Sequence, residues 1–175
     1  FRQHIRLDCP VQRVSRDATG VSVTSAAGIE RFDKVVFACH SDQALALLEA
    51  PSTAETEVLG ALGYARNEVL LHTDTRLLPR RRQAWASWNY RLESCGTLTE
   101  RTRVSYWMNR LQGHPEGNPL VVTLNPEEGS APRDTVATMT YLHPVYTAES
   151  VAAQQDLPSL NTDRLTFAGA YHGWG

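Results

Sequence analysis

The sequence predicts an α+β chain in which a β-meander and a final short strand flank a central antiparallel sheet. Three observations lead there. Near the N-terminus apolar and polar residues alternate in short runs, as in Val21-Ser22-Val23-Thr24. Strand-like segments, separated by glycine- and arginine-containing connections, fill residues 65–142. After a helical stretch, residues 164–168 return to an apolar run that enters the tail Gly169-Ala170-Tyr171-His172-Gly173-Trp174-Gly175.

In order, residues 11–16 read as a first strand, Asp17-Ala18-Thr19-Gly20 as a turn, and residues 21–24 as a half-buried second strand. Ala27-Gly28 makes the next turn. Residues 29–38 return as one strand ending in Val35-Val36-Phe37-Ala38, whose unbroken apolarity predicts burial on both faces. Ser41 can cap a helix through Leu45, Leu47 and Leu48, which Pro51 ends. Ser52-Thr53-Ala54-Glu55 is a capping box, in which serine and glutamate satisfy each other's backbone N–H groups. Gly63 is expected to close this second helix in the left-handed conformation. Residues 68–74, 84–90, 103–110, 120–124 and 135–142 then supply about five antiparallel strands. A helix over 147–155 precedes the last strand.

Composition narrows the function. The 175 residues are 42% hydrophobic and 21% charged, ordinary for a globular chain, and the net charge of −2 recommends neither nucleic acid nor an anionic membrane as partner. No apolar run approaches the ~18 residues of a membrane span, so no transmembrane segment is expected. Sixteen arginines accompany one lysine, Lys34, so lysine chemistry has a single candidate. Cys9, Cys39 and Cys95 are widely spaced and form no C-x-x-C or zinc pattern. Reduced thiols, a cytoplasmic setting and no metal site are the expectation.

The residues also argue against some chemistries. Cys39 and His40 are neighbours on an extended run, so their side chains point to opposite faces and make no dyad. There is no G-x-S-x-G, no G-x-x-x-x-G-K-[ST] and no G-x-G-x-x-G. The Phe167-Ala168-Gly169-Ala170 turn admits two readings: a simple strand-to-loop turn, or a place where bare backbone approaches a bound group. Trp85, Trp88, Tyr90, Tyr106, Trp107 and Tyr141 concentrate aromatics on the central sheet. Trp88 and Tyr90 share one face by period 2. A flat aromatic surface suits a planar ring or an apolar substrate, and Trp88, Tyr90 and Trp107 are the candidate substrate-lining residues.

Three runs, Cys9-Pro10-Val11-Gln12-Arg13-Val14, Gly20-Val21-Ser22-Val23 and Phe32-Asp33-Lys34-Val35-Val36-Phe37-Ala38-Cys39-His40, appear in that order before a closing Leu165-Thr166-Phe167-Ala168-Gly169. In this order they resemble the C-terminal two-thirds of the flavin-containing amine oxidase superfamily, and most narrowly its bacterial NAD/FAD-binding members. The resemblance implies FAD as cofactor, with Val11 against the adenine, Ala38 near the cofactor, and Gly169, Ala170, Trp174 and Gly175 along the pyrophosphate, ribityl chain and flavin ring. It implies residues 1–50 and 159–175 as pieces of an FAD-binding Rossmann-like domain, the meander and the last parallel strand, without its N-terminal βαβ unit. Residues 51–158 would be a substrate-type domain with the antiparallel sheet.

The activity so implied is oxidation of a small or lipid-like substrate by hydride transfer to the flavin. Amine oxidases of the family place a lysine near the flavin on the first strand of the substrate domain. The matching stretch here is Asn67-Glu68-Val69-Leu70 and carries none, so "amine oxidase" reads as a family label. Without an initiator methionine or a dinucleotide fingerprint, the chain is expected to be part of a longer protein, inactive alone and prone to self-association through unpaired strands. The competing class is a non-catalytic β-rich binding module that keeps the fold without cofactor.

Overall fold

Asp17 shows how the first turn forms. Its carboxylate accepts the backbone N–H of Thr19 at 2.7 Å and of Gly20 at 3.1 Å, and Arg31 clasps it from two strands away. The strands that this turn joins, β1 (Val11–Asp17) and β2 (Gly20–Ser25), continue into β3 (Gly28–Phe32) as an antiparallel meander. Gly28, at φ 118°, makes the second turn. The computed structural model describes residues 2–92, 103–127 and 129–173.

The strand expected over 29–38 is in fact two. β3 ends at Phe32, and β4 (Val35–Phe37) leaves the meander to pair in parallel with β10 (Leu165–Phe167). Nor is β4 buried on both faces: Phe37 is buried but Val36 is 57% exposed. An apolar run marks a strand without counting how many faces are covered.

Helix α1 (Ser41–Leu47) starts one residue earlier than expected, with His40 rather than Ser41 at the N-cap. Ser41 is instead buried, donating its N–H to the Tyr64 hydroxyl at 2.8 Å. Helix α2 (Thr53–Gly60) has the expected capping box at Ser52 and Glu55. It ends at Ala61 in the right-handed region, and Gly63 is not among the left-handed glycines. The carbonyl of Gly63 accepts from Val145 N–H, a long-range contact that sets this chain reversal. Helix α4 (Ala148–Asp156) is capped by Thr147.

These elements make up the first of two compact units, Phe1–Tyr64 with Pro144–Gly175. Its core joins Val14 and Val21 of the meander to Phe37, Leu165 and Phe167 of the parallel pair, and to Leu59, Leu157 and Leu160 of the helical segments. Helix α2 and the 3₁₀ turn Leu157–Leu160 that follows α4 therefore belong to this core, and α4 to the same unit, whereas sequence order groups residues 51–158 with the central sheet.

The second unit, Ala65–His143, holds a five-stranded sheet in the order β6-β7-β8-β5-β9. Its strands are β5 (Tyr64–His72), β6 (Trp88–Tyr90), β7 (Val104–Trp107), β8 (Val121–Leu124) and β9 (Thr135–Pro144). The β6–β7, β7–β8 and β8–β5 ladders are antiparallel. Two expected strands are shorter than their sequence patterns. Arg82–Ala84 is a 3₁₀ turn before β6, and β7 gives way at Met108 to helix α3 (Met108–Gln112), which Gly113 closes at φ 69°.

Candidate functional site

The parallel pairing sets Val35, Val36 and Phe37 opposite Leu165, Thr166 and Phe167, and Ala168 donates its N–H to the Phe37 carbonyl at 2.9 Å. Both strands thus end side by side. Beyond their carboxyl ends Ala38, Ala168, Gly169 and Ala170 are all exposed. Small side chains there leave backbone open at the edge where parallel sheets receive nucleotides. That arrangement fits a dinucleotide approached through backbone, and Ala38, Gly169 and Ala170 are brought together in it. Trp174 and Gly175 lie outside the described residues.

Gly169 has a more local reason to lack a side chain than a bound group. Its φ of 168° is extended, open to any residue, but a Cβ would stand 2.5 Å from the Tyr171 ring. Tyr171 is 1% exposed and packs into the core of the first unit. Its hydroxyl has no hydrogen-bond partner among the described residues. Burial, then the neighbouring Tyr64 and Cys39, pushes its pKa up to about 12. Because a raised pKa disfavours ionisation in the folded state, the associated stability is complete below about pH 10 and is lost as pH rises toward 12. Removing an unpartnered buried hydroxyl costs little, so Tyr171→Phe should leave the midpoint of thermal unfolding at pH 7 unchanged or higher. It should also abolish this alkaline loss. A fall of several degrees at pH 7 would show that the hydroxyl has a partner after all.

Val11 is placed elsewhere. It is 40% exposed on the edge strand of the meander and lines a separate hollow of about 440 Å³ with Arg6, Cys9 and Phe32.

In the second unit, cross-strand register sorts the aromatics. Trp88 stands opposite Tyr106 with the rings edge to face at 6.4 Å, and Tyr90 lies on the same face. Both are open, at 67% and 55% exposure. Trp107 is not their companion. Alternation along β7 puts it on the opposite face, 7% exposed and packed with Leu78, Val121 and Trp85. It braces the sheet from behind.

That hidden face also carries a polar chain the sequence did not reveal. His72 Nε2 meets Thr123 Oγ1 at 2.8 Å, and Thr123 meets Ser105 Oγ at 2.9 Å. Burial lowers the pKa of His72, with Asp74 opposing, which keeps the imidazole neutral. At the stretch expected to match the family's lysine, Asn67 contacts His143 Nδ1 at 2.9 Å and accepts from Asn125 Nδ2 at 2.7 Å. These partners are 76 and 58 positions away in sequence, so no local pattern announces them. Among the described residues no cluster of His, Cys, Asp and Glu could hold a metal ion, and no helix is long and apolar enough to cross a membrane.

Comparison with known proteins adds the relationship. Comparison with curated protein sequences finds no match. Among solved structures, a CLA-producing fatty acid isomerase from P. acnes aligns with a TM-score of 0.59 at 13% identity, covering 92% of this chain and 42% of that one. Cyclohexylamine oxidase from Brevibacterium oxydans IH-35A aligns with a TM-score of 0.58 at 15% identity, over 99% of this chain and 45% of the other. A putative protoporphyrinogen oxidase from Exiguobacterium sp. 255-15 gives 0.53 at 14%, over 97% and 44%. The chain therefore spans less than half the length of these structures, and at such identities the likeness shows the shared fold. The family model for flavin containing amine oxidoreductases matches residues 2–137. A match over that much of the sequence makes the chain a member of the flavin-containing amine oxidoreductase family, whose cofactor is FAD.

Proposed function

We propose that the chain supplies part of the cofactor cradle and the substrate-facing sheet of an FAD-dependent oxidoreductase, and that it does not turn over by itself. The observation that carries this reading is the side-by-side ending of β4 and β10, with Ala38, Gly169 and Ala170 bare at their carboxyl edge, in a chain of this family. When bound, the flavin supplies the hydride acceptor. In this reading Ala38, Gly169 and Ala170 offer backbone and little bulk to the cofactor, with Trp174 and Gly175 continuing along it. Val11 offers strand edge to the adenine. Trp88 and Tyr90 present an open aromatic face to a small or lipid-like substrate and keep water from it. The range of the structural neighbours, from an amine oxidase to a fatty acid isomerase, supports leaving the reaction broader than amine oxidation. So does the Asn67-Glu68 pair where a lysine would be expected.

The test is flavin content of the full-length protein. The purified protein should be yellow, with absorbance near about 450 nm from the oxidised isoalloxazine ring. Ala170→Trp places bulk at an exposed position, so it should lower flavin occupancy while the apoprotein unfolds at the wild-type temperature. A colourless protein that takes up no added FAD would favour a non-catalytic β-rich module and end this proposal.

A further inference from the structure

Edge strand β6 borders a hollow of about 400 Å³ that shares Tyr90 with the proposed substrate face but is otherwise lined by residues the flavin reading leaves unused. Three arginines line it: Arg76, Arg80 and Arg91. Their charges are unequally spent. Arg76 is held by Asp74, donating from Nε at 2.9 Å and 3.0 Å and again from Nη2. Asp74 is itself buried and also accepts the N–H of Arg133 at 2.9 Å, so this pair is structural. The Arg76 guanidinium, against the opposing effect of burial, holds the Asp74 carboxyl well below the usual carboxylate range, so it stays charged.

Arg91 reaches Glu127 only at 3.9 Å, and that carboxylate is already bonded to Arg103 at 2.8 Å. Arg80 is exposed and has no ion pair or hydrogen bond among the described residues. Of the three arginines that line the hollow, Arg76 is matched by Asp74, Arg91 has a carboxylate only at 3.9 Å, and Arg80 has none among the described residues, which leaves positive charge at Arg80 and Arg91.

The backbone adds a donor. Arg91 N–H bonds the Arg103 carbonyl and Ser87 C=O accepts from Trp107, so alternate residues of this strand face β7. Tyr90, between them, turns its N–H to the free edge at the hollow it lines. The remaining wall is Leu77, Leu78, Pro79, Tyr90 and Asn89, and the Asn89 amide is already bonded to Ala86 and Ser105. Arginines and an edge amide beside apolar surface match an organic acid that has a carboxylate head and a hydrocarbon or aromatic body.

We infer that this hollow is a binding site for the carboxylate of an amphiphilic organic acid, with Arg80 as its mobile clamp and Arg91 as its second cation. The site is distinct from the proposed cofactor edge and does not depend on flavin. Calorimetric titration of the full chain with decanoate, and with decanol as the uncharged analogue, tests it. Decanoate should bind saturably at one site, with decanol at least about tenfold weaker. Arg80→Ala should weaken decanoate about tenfold and leave decanol unchanged, and Arg80→Lys should recover part of the loss. Arg80 has no structural partner, so its variants should unfold at the wild-type temperature. Arg81→Ala, adjacent in sequence but outside the hollow, should change nothing. Absence of saturable decanoate binding would overturn the inference. Equal binding of decanol, or an Arg81→Ala effect matching that of Arg80→Ala, would do the same. Because no readout involves flavin, this result and the cofactor test succeed or fail separately.

Discussion

Phe167→Ala is expected to cost about 3–5 kcal/mol of stability, the range for emptying a buried aromatic site. Phe167 is 2% exposed and stacks on Phe37 with ring centroids 5.3 Å apart and planes 9° apart. It occupies the middle of the larger core, beside Leu165 and Tyr171. The neighbourhood is poorly able to collapse into the gap. β10 is three residues long and β4 is its one strand partner among the described residues, so the stacked rings hold the two together as much as the ladder does. A loss of this size is a large part of the total stability of a domain, about 5–15 kcal/mol. Urea unfolding should show a lower midpoint with an unchanged slope. Val36→Ala, one residue away from Phe37 but 57% exposed, should move the midpoint by less than about 0.5 kcal/mol. A Phe167→Ala loss below about 1 kcal/mol would mean the ring is not packed as described.

Glu55→Ala is expected to cost about 2–4 kcal/mol, more than an ordinary helix cap, because one side chain holds two structures together. Glu55 is 3% exposed. It accepts both Arg16 Nη groups, at 2.6 Å from Nη2, and also the Ser52 N–H at 2.7 Å. The serine returns the bond, accepting the Glu55 N–H at 3.2 Å. Alanine would free α2's first turn and leave Arg16, with 29% side-chain exposure, without its carboxylate. Glu55→Gln keeps the contact to Ser52 and should lose about half as much.

The same group makes stability fall in acid. Burial by itself would raise the Glu55 pKa, but the Arg16 hydrogen bonds and the Ser52 N–H outweigh it, and the folded value lies below the ordinary one. The unfolded chain therefore takes up the proton first. The stabilisation is complete above the ordinary glutamate pKa of about 4.3 and declines as pH falls through the lowered folded value. Stability measured by denaturant from pH 7 downward should show this slope in wild type and lack it in Glu55→Ala. Identical slopes in both proteins would remove Glu55 from the account.

The capping box shows where local reading succeeds. Ser52 and Glu55 are three apart, so the motif and its bonds occur within one helical turn. The meander turns at Asp17 and Gly28 and the closing strand are local in the same sense. Arg16, which gives Glu55 its larger role, lies 39 positions away and left no trace in the pattern. The family affiliation was also legible, because it rests on the order of short runs along the chain.

Faces and partners were not legible. Periodicity put Trp88 and Tyr90 on one side, but which side was covered, and that Trp107 belonged to the other, depended on how β6 and β7 align. The bare Cα of Gly169 is compatible with a bound group, but that the Tyr171 ring packs against it is visible only in the fold. The run over 29–38 looked like one strand because apolarity records burial and not pairing partners, and pairing with β10 is what divided it. The sequence by itself determined most of the strands and helices, the capping box at Ser52 and Glu55 and the family, since these follow from short local runs and their order along the chain. Tertiary structure alone decided which strand ends lie together, which aromatics stay open and where arginine charge is left unspent, since each depends on contacts between residues far apart in the chain.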